Sequence, residues 1–138
     1  MNKKLTYWID DERSPRWYFT DEELECRTVI WIKDYSTFEF YLKHMGVPEE
    51  IHFDHDLGSA EGKTGYDCAK LLVEYCSENN ERLPSEYACH SSNPAGHDNI
   101  MSYLNSYRKI EATKLRDENG VITHEDPSIN IKEILTLK

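Results

Sequence analysis

Two short apolar stretches end in clusters of acids, and this repeat constrains the fold more than any other feature of the chain. Leu5-Thr6-Tyr7-Trp8-Ile9 runs into Asp10-Asp11-Glu12, and Ile51-His52-Phe53 runs into Asp54-His55-Asp56-Leu57-Gly58. Ile51 and Phe53 alternate with His52, the period of a short strand. Carboxylates at a strand end, followed by a loop carrying Gly58, Gly62 and Gly65, stand where open α/β sheets bind their ligands. Asp10, Asp11, Asp54 and Asp56 repel one another unless a cation sits among them. Their hard oxygen donors suit Mg²⁺ or Mn²⁺.

The intervening sequence alternates strand and helix patterns. Strands are expected over 4–9, 27–32, about 50–54 and 85–90. Thr20-Asp21-Glu22-Glu23 reads as a helix start. Ser36 is the expected cap of a helix over 37–45, with Phe38, Tyr41, Leu42 and Met45 inward. A clearer helix runs from Tyr66 to about Ser77, with Ala69, Leu72, Val73 and Cys76 inward. Asn93 caps a further helix from Pro94 to about Tyr107. Arg108 to Leu115 reads as a strand, and 117–120 as the tip of a hairpin to Val121-Ile122-Thr123. Arg16-Trp17-Tyr18-Phe19 is too aromatic for a solvated linker and is expected to dock on the sheet, the commoner case, or to pack across the pocket mouth. This order predicts an α/β protein with a mainly parallel central sheet and helices on both faces.

At 138 residues, 38% hydrophobic and 30% charged, one globular domain over residues 1–138 is expected. No apolar run approaches the roughly 20 residues of a membrane span. The basic start lacks a signal-peptide core, so a cytoplasmic location is expected. Cys26, Cys68, Cys76 and Cys89 include no Cys-x-x-Cys pair, which predicts reduced, mostly buried thiols and no zinc site. A formal net charge of −10 disfavours extended duplex DNA. It remains compatible with a small phosphate ligand where a bound cation inverts the local sign.

Four motifs in order resemble a known family. They are Trp8-Ile9-Asp10-Asp11-Glu12-Arg13, Phe53-Asp54-His55-Asp56-Leu57-Gly58, Gly65-Tyr66-Asp67 and His90-Ser91-Ser92-Asn93-Pro94. Over roughly residues 4–107 they resemble the receiver (flavodoxin-like) fold of response regulators, and more closely the cyclic-phosphate processing receiver domains. The resemblance implies a three-layer sandwich with a divergent C-terminal region over 108–138. It also implies a metal-dependent site acting on a cyclic phosphate, either a cyclic nucleotide or an RNA 2′,3′-cyclic end. By position, Asp10 and Asp11 match the metal-binding acids, Asp54 the phosphate-accepting aspartate, and Ser91 or Ser92 the phosphate-touching hydroxyl. Asp56 stands where a receiver offers a backbone carbonyl to the metal. The lysine–proline pattern that receivers carry after a fifth strand does not occur around Lys109 and Lys114, so ordinary aspartyl-phosphate signalling is not expected.

Two functions follow. As a metal-dependent phosphoesterase, the protein would hold its ion on Asp10, Asp11, Asp54 and Asp56. His90 or His55 would handle the proton on the leaving oxygen. Arg13, with Ser91, Ser92 and Asn93 at a helix start, would bind the phosphate oxygens. The alternative is a non-catalytic receiver-like module that senses a phosphate ligand or docks a protein partner. His52 and His44 read as surface or packing residues.

Overall fold

In a computed structural model describing residues 2–113, 115–116 and 122–124, four parallel strands form the central sheet. They are β1 (Lys4–Ile9), β2 (Arg27–Ile32), β3 (Glu50–Phe53) and β4 (Glu86–Cys89), in the order β2-β1-β3-β4. That is the flavodoxin-like order over its first four positions, so the expected receiver-like α/β fold is the one observed.

In a parallel ladder, paired residues share a face. The register therefore sorts the sheet into two surfaces. Tyr7, Ile30, Ile51 and Tyr87 lie on one face with Ile9, Ile32, Phe53 and Cys89. This face is the apolar core, covered by α2 (Tyr35–Met45), α3 (Gly65–Glu78) and α4 (Pro94–Glu111). The opposite face carries Thr6, Val29, Glu50 and Glu86, then Trp8, Trp31, His52 and Ala88. A thin third layer covers part of it: a 3-10 turn (Pro15–Trp17), the docked Phe19 and the five-residue α1 (Asp21–Glu25). The expected helix start at Thr20 is observed, and Thr20 and Glu23 close a capping box on α1.

Three local expectations are corrected. Asp34, not Ser36, caps α2: its carboxylate accepts from the Thr37 N–H at 2.8 Å. Met45, expected inward, is exposed at the helix end. Residues 108–111 continue α4 rather than start a strand, because Tyr107 and Ile110 extend the inward face of Ile100, Tyr103 and Leu104. Glu111 is buried there; it accepts from the Leu83 N–H at 2.9 Å and pairs with Arg108. Beyond it, β5 (Leu115–Arg116) and β6 (Ile122–His124) pair antiparallel, as the expected hairpin requires. The tip at 117–120 and the stretch 128–138 lie outside the described residues. Cys68, Cys76 and Cys89 are buried free thiols, and Cys26 is an exposed one. No helix among the described residues is long and apolar enough to cross a membrane.

Candidate functional site

The sheet ends β1 and β3 side by side. Ile9 pairs with Phe53, and the Asp54 N–H donates to the Ile9 carbonyl at 2.9 Å. That register brings Asp10 and Asp54 together across one ladder step. One carboxylate oxygen from each of Asp10, Asp11 and Asp54 lies within 4.8 Å of the others. Two ligands of one hard cation, at about 2.0–2.6 Å each, are at most about 5 Å apart, so the three acids fit one ion.

Asp56 does not join them. β3 stops at Phe53, so the strand alternation that would have put Asp56 beside Asp54 does not continue. The Asp56 carboxylate is exposed and bonds the His55 Nδ1 at 3.0 Å. The His55 ring lies against the first turn of α4, where a Cβ at Gly96 would overlap it. His55 therefore packs beneath a helix rather than facing the acids as a proton donor.

Arg13 is committed to the acids. Its Nε donates to Asp10 Oδ2 at 2.9 Å, and its Nη2 lies 3.7 Å from Asp54 Oδ1 and donates to the His90 carbonyl at 2.6 Å. The expected free phosphate clamp is therefore a bracket between two acids and the end of β4. Asp10 Oδ1 accepts from the Glu12 and Arg13 N–H groups, both at 2.9 Å. A carboxylate has about four acceptor positions, so Asp10, nearly fully buried, retains one on Oδ2 for a cation. Three carboxylates against one guanidinium leave a net negative site. Asp54 registers it: burial first, then the neighbouring Asp10, push its pKa up to about 6, and Arg13 only partly opposes them.

The loop from Asp54 to Gly65 is pinned at its base. The Gly65 N–H donates to the His55 carbonyl at 2.8 Å, and a Cβ at Gly65 would overlap the Asp54 carbonyl oxygen. Gly65→Ala is therefore expected to destabilise the protein by about 1–3 kcal/mol, the usual cost of overpacking. A shift of the urea midpoint measures it, and an unchanged midpoint would show that this base is not tightly closed.

The remaining candidates are placed as follows. Ser91 Oγ accepts from the Asn93 N–H at 3.1 Å, and Asn93 caps α4 by accepting from the Gly96 N–H at 3.1 Å. Ser92 is exposed. His90 is not beside the acids through its ring: only its carbonyl reaches them, through Arg13. The ring packs against Tyr18 at 4.4 Å, Trp8 at 5.2 Å and His52 at 5.0 Å.

That packing contains a polar chain that the sequence reading missed. His90 Nε2 and His52 Nδ1 are 2.8 Å apart, and His52 Nε2 lies 2.7 Å from Glu50 Oε2. Glu50 Oε1 accepts from Arg27 Nε at 2.7 Å. Burial raises the Glu50 pKa, but the bonds from Arg27 and His52 outweigh it and leave the group ionised. An ionised Glu50 can only accept, so His52 donates its Nε2–H to it, which leaves His52 Nδ1 as an acceptor. His90 must then donate from Nε2 and keep Nδ1 bare. Burial, then His52 and Arg13, lower the His90 pKa to about 4, so the ring is neutral at pH 7. The signal for this chain was Thr6, Glu50 and His52 alternating with core residues opposite the aromatic run at 17–19.

A sequence profile for the cyclic-phosphate processing receiver domain matches residues 5–106. No curated protein and no solved structure matches the chain.

Proposed function

The chain belongs to the cyclic-phosphate processing receiver domain family, and from that membership we propose that it is a metal-dependent phosphoesterase that opens a cyclic phosphate. The observation that carries this reading is the convergence of Asp10, Asp11 and Asp54 within 4.8 Å at the ends of two parallel strands. These three acids would hold Mg²⁺ or Mn²⁺; Asp56 would not. Bound there, the cation supplies Lewis-acid polarisation of a phosphoryl oxygen.

The chain's own residues account for the rest. Arg13 fixes Asp10 so that its open lone pair stays directed into the cluster. The backbone N–H groups at the start of α4, beyond the Asn93 cap, favour a phosphate oxygen. His90, whose ring does not touch the acids, would take the proton of the attacking water at Nδ1 through one intervening water, and the Glu50–His52 chain keeps that position bare. The water oxygen bonds to phosphorus as the bond to one ring oxygen breaks. That alkoxide takes the proton back, and the product is a ring-opened monoester. His55, held by Asp56 and Gly96, keeps the loop after Asp54 in place.

The test is ³¹P NMR of a nucleoside 2′,3′-cyclic phosphate incubated with the protein and Mn²⁺ or Mg²⁺. The cyclic-ester resonance is expected to convert to a monoester resonance only when protein and ion are both present. A resonance that stays unchanged with every ester and either ion would remove the enzymatic reading.

A further inference from the structure

Two aromatic side chains beside the acids have no role in the reaction above. Trp17 is 56% exposed and Tyr18 48% exposed, and they follow the Asp10-Asp11 end of β1 by only a few residues. Their neighbours serve as core: Trp8 and Phe19 are buried, and Phe19 packs under the Arg27 guanidinium at 4.6 Å. The two rings lie nearly parallel, 27° apart, with centroids 6.5 Å apart. Tyr18 rests its inner face on Trp8 and His90. About half of each residue's surface is left to water.

The segment that presents them is fixed. Ser14 caps the 3-10 turn, Pro15 occupies its first position, and the Tyr18 and Phe19 N–H groups both donate to the Pro15 carbonyl. Arg13 ties it to the acids, with its guanidinium 4.1 Å over the Trp17 ring and its Nε 2.9 Å from Asp10. The stacked surface therefore lies one guanidinium away from the acids, a gap that a ribose can span.

Resting on the proposed reaction, we infer that the Trp17–Tyr18 surface binds the base of the substrate, which makes that substrate a nucleoside cyclic phosphate. Aromatic stacking tolerates any base, because every base has a π-face. The overall charge of −10 opposes a long polyanion, so the occupant is a single nucleotide rather than an RNA chain. A rigid platform binds without paying to order itself.

The experiment compares three ligands by isothermal titration calorimetry and steady-state hydrolysis: nucleoside 2′,3′-cyclic monophosphates, glycerol 1,2-cyclic phosphate, which has the ring without a base, and a short oligoribonucleotide ending in the same ring. Adenosine and uridine esters should both bind saturably with similar affinity. Trp17→Ala should weaken them by about 5- to 100-fold, the worth of one stacked base. The loss should be confined to esters that carry a base. Trp17→Phe should retain most of the affinity, which separates stacking from misfolding.

Equal affinity of wild type and Trp17→Ala for the nucleotides would overturn the proposal. So would an equal loss for the base-free ester. Tighter binding of the oligoribonucleotide than of the mononucleotide would overturn the choice of occupant. Trp17-dependent nucleotide binding without turnover would keep the platform and reject the enzyme. Turnover of the base-free ester at the nucleotide's rate would keep the enzyme and reject the platform.

Discussion

Asp54→Asn is expected to stabilise the metal-free protein at pH 7.5 and to leave it unchanged near pH 3.5. Asp54 has a folded pKa of about 6 against an ordinary 3.8. Below 3.8 it is neutral in both folded and unfolded chains and contributes no difference. As pH rises from 3.8 to about 6, the unfolded chain ionises while the folded one holds its proton, so stability falls. Above 6 the folded protein carries the full repulsion from Asp10 and the full cost of burying the charge. Two pH units correspond to at most about 3 kcal/mol. The side chain is still 15% exposed, and asparagine forfeits the attraction to Arg13, so a gain of about 1–2 kcal/mol is expected. For a chain of this length that is several degrees in Tm. Millimolar Mn²⁺ should reverse the order, raising the wild-type Tm by mass action and leaving Asp54→Asn where it was. Thermal melts at the two pH values, with and without ion, check all four results. A variant less stable than wild type at pH 7.5 without metal would contradict the crowding of the three acids.

His90→Ala is expected to lower turnover by about 100- to 10,000-fold, the range for a positioned acid–base group. Metal-induced stabilisation should survive, because the imidazole does not touch the cluster. His52→Ala should cost less, on the order of tenfold, because it frees the His90 tautomer without removing the base. With the ion saturating, Asp54 is held ionised and the acid limb of kcat/KM reports His90. It should inflect near pH 4, well below an ordinary histidine. Steady-state kinetics from pH 3.5 to 8 measure both effects. A His90→Ala enzyme within tenfold of wild type would remove the ring from the reaction.

The strands and the acid cluster were legible in the sequence for a physical reason. Strand identity depends on local period, and Asp10 and Asp54 directly follow strands that pair in parallel, so register alone brings them together. Helix α3 and the Asn93 cap were legible because spacing and capping chemistry are local too. Asp34 and Ser36 are both competent caps two residues apart, and only the entry angle of the chain decides between them. The inward Glu111 was hidden because its partner, the Leu83 N–H, is remote in sequence. Asp56 was misplaced by continuing the strand period past the end of β3 at Phe53. His52 was underrated because a period of two shows which residues share a face, not whether the second face is covered. The run Trp17-Tyr18-Phe19 was the sign that it is, and it covers Glu50 and His52, which join the half-buried His90 in one hydrogen-bonded chain.

The most direct test of the central claim is the initial rate of ring opening of a nucleoside 2′,3′-cyclic phosphate, measured with wild type and Asp54→Ala, with Mn²⁺ and with excess chelator. Wild type with Mn²⁺ should turn over, and the other three conditions should fall to the uncatalysed rate, because removing either the ion or the carboxylate at the end of β3 dismantles the same site. Turnover that persists with chelator and in Asp54→Ala would contradict it.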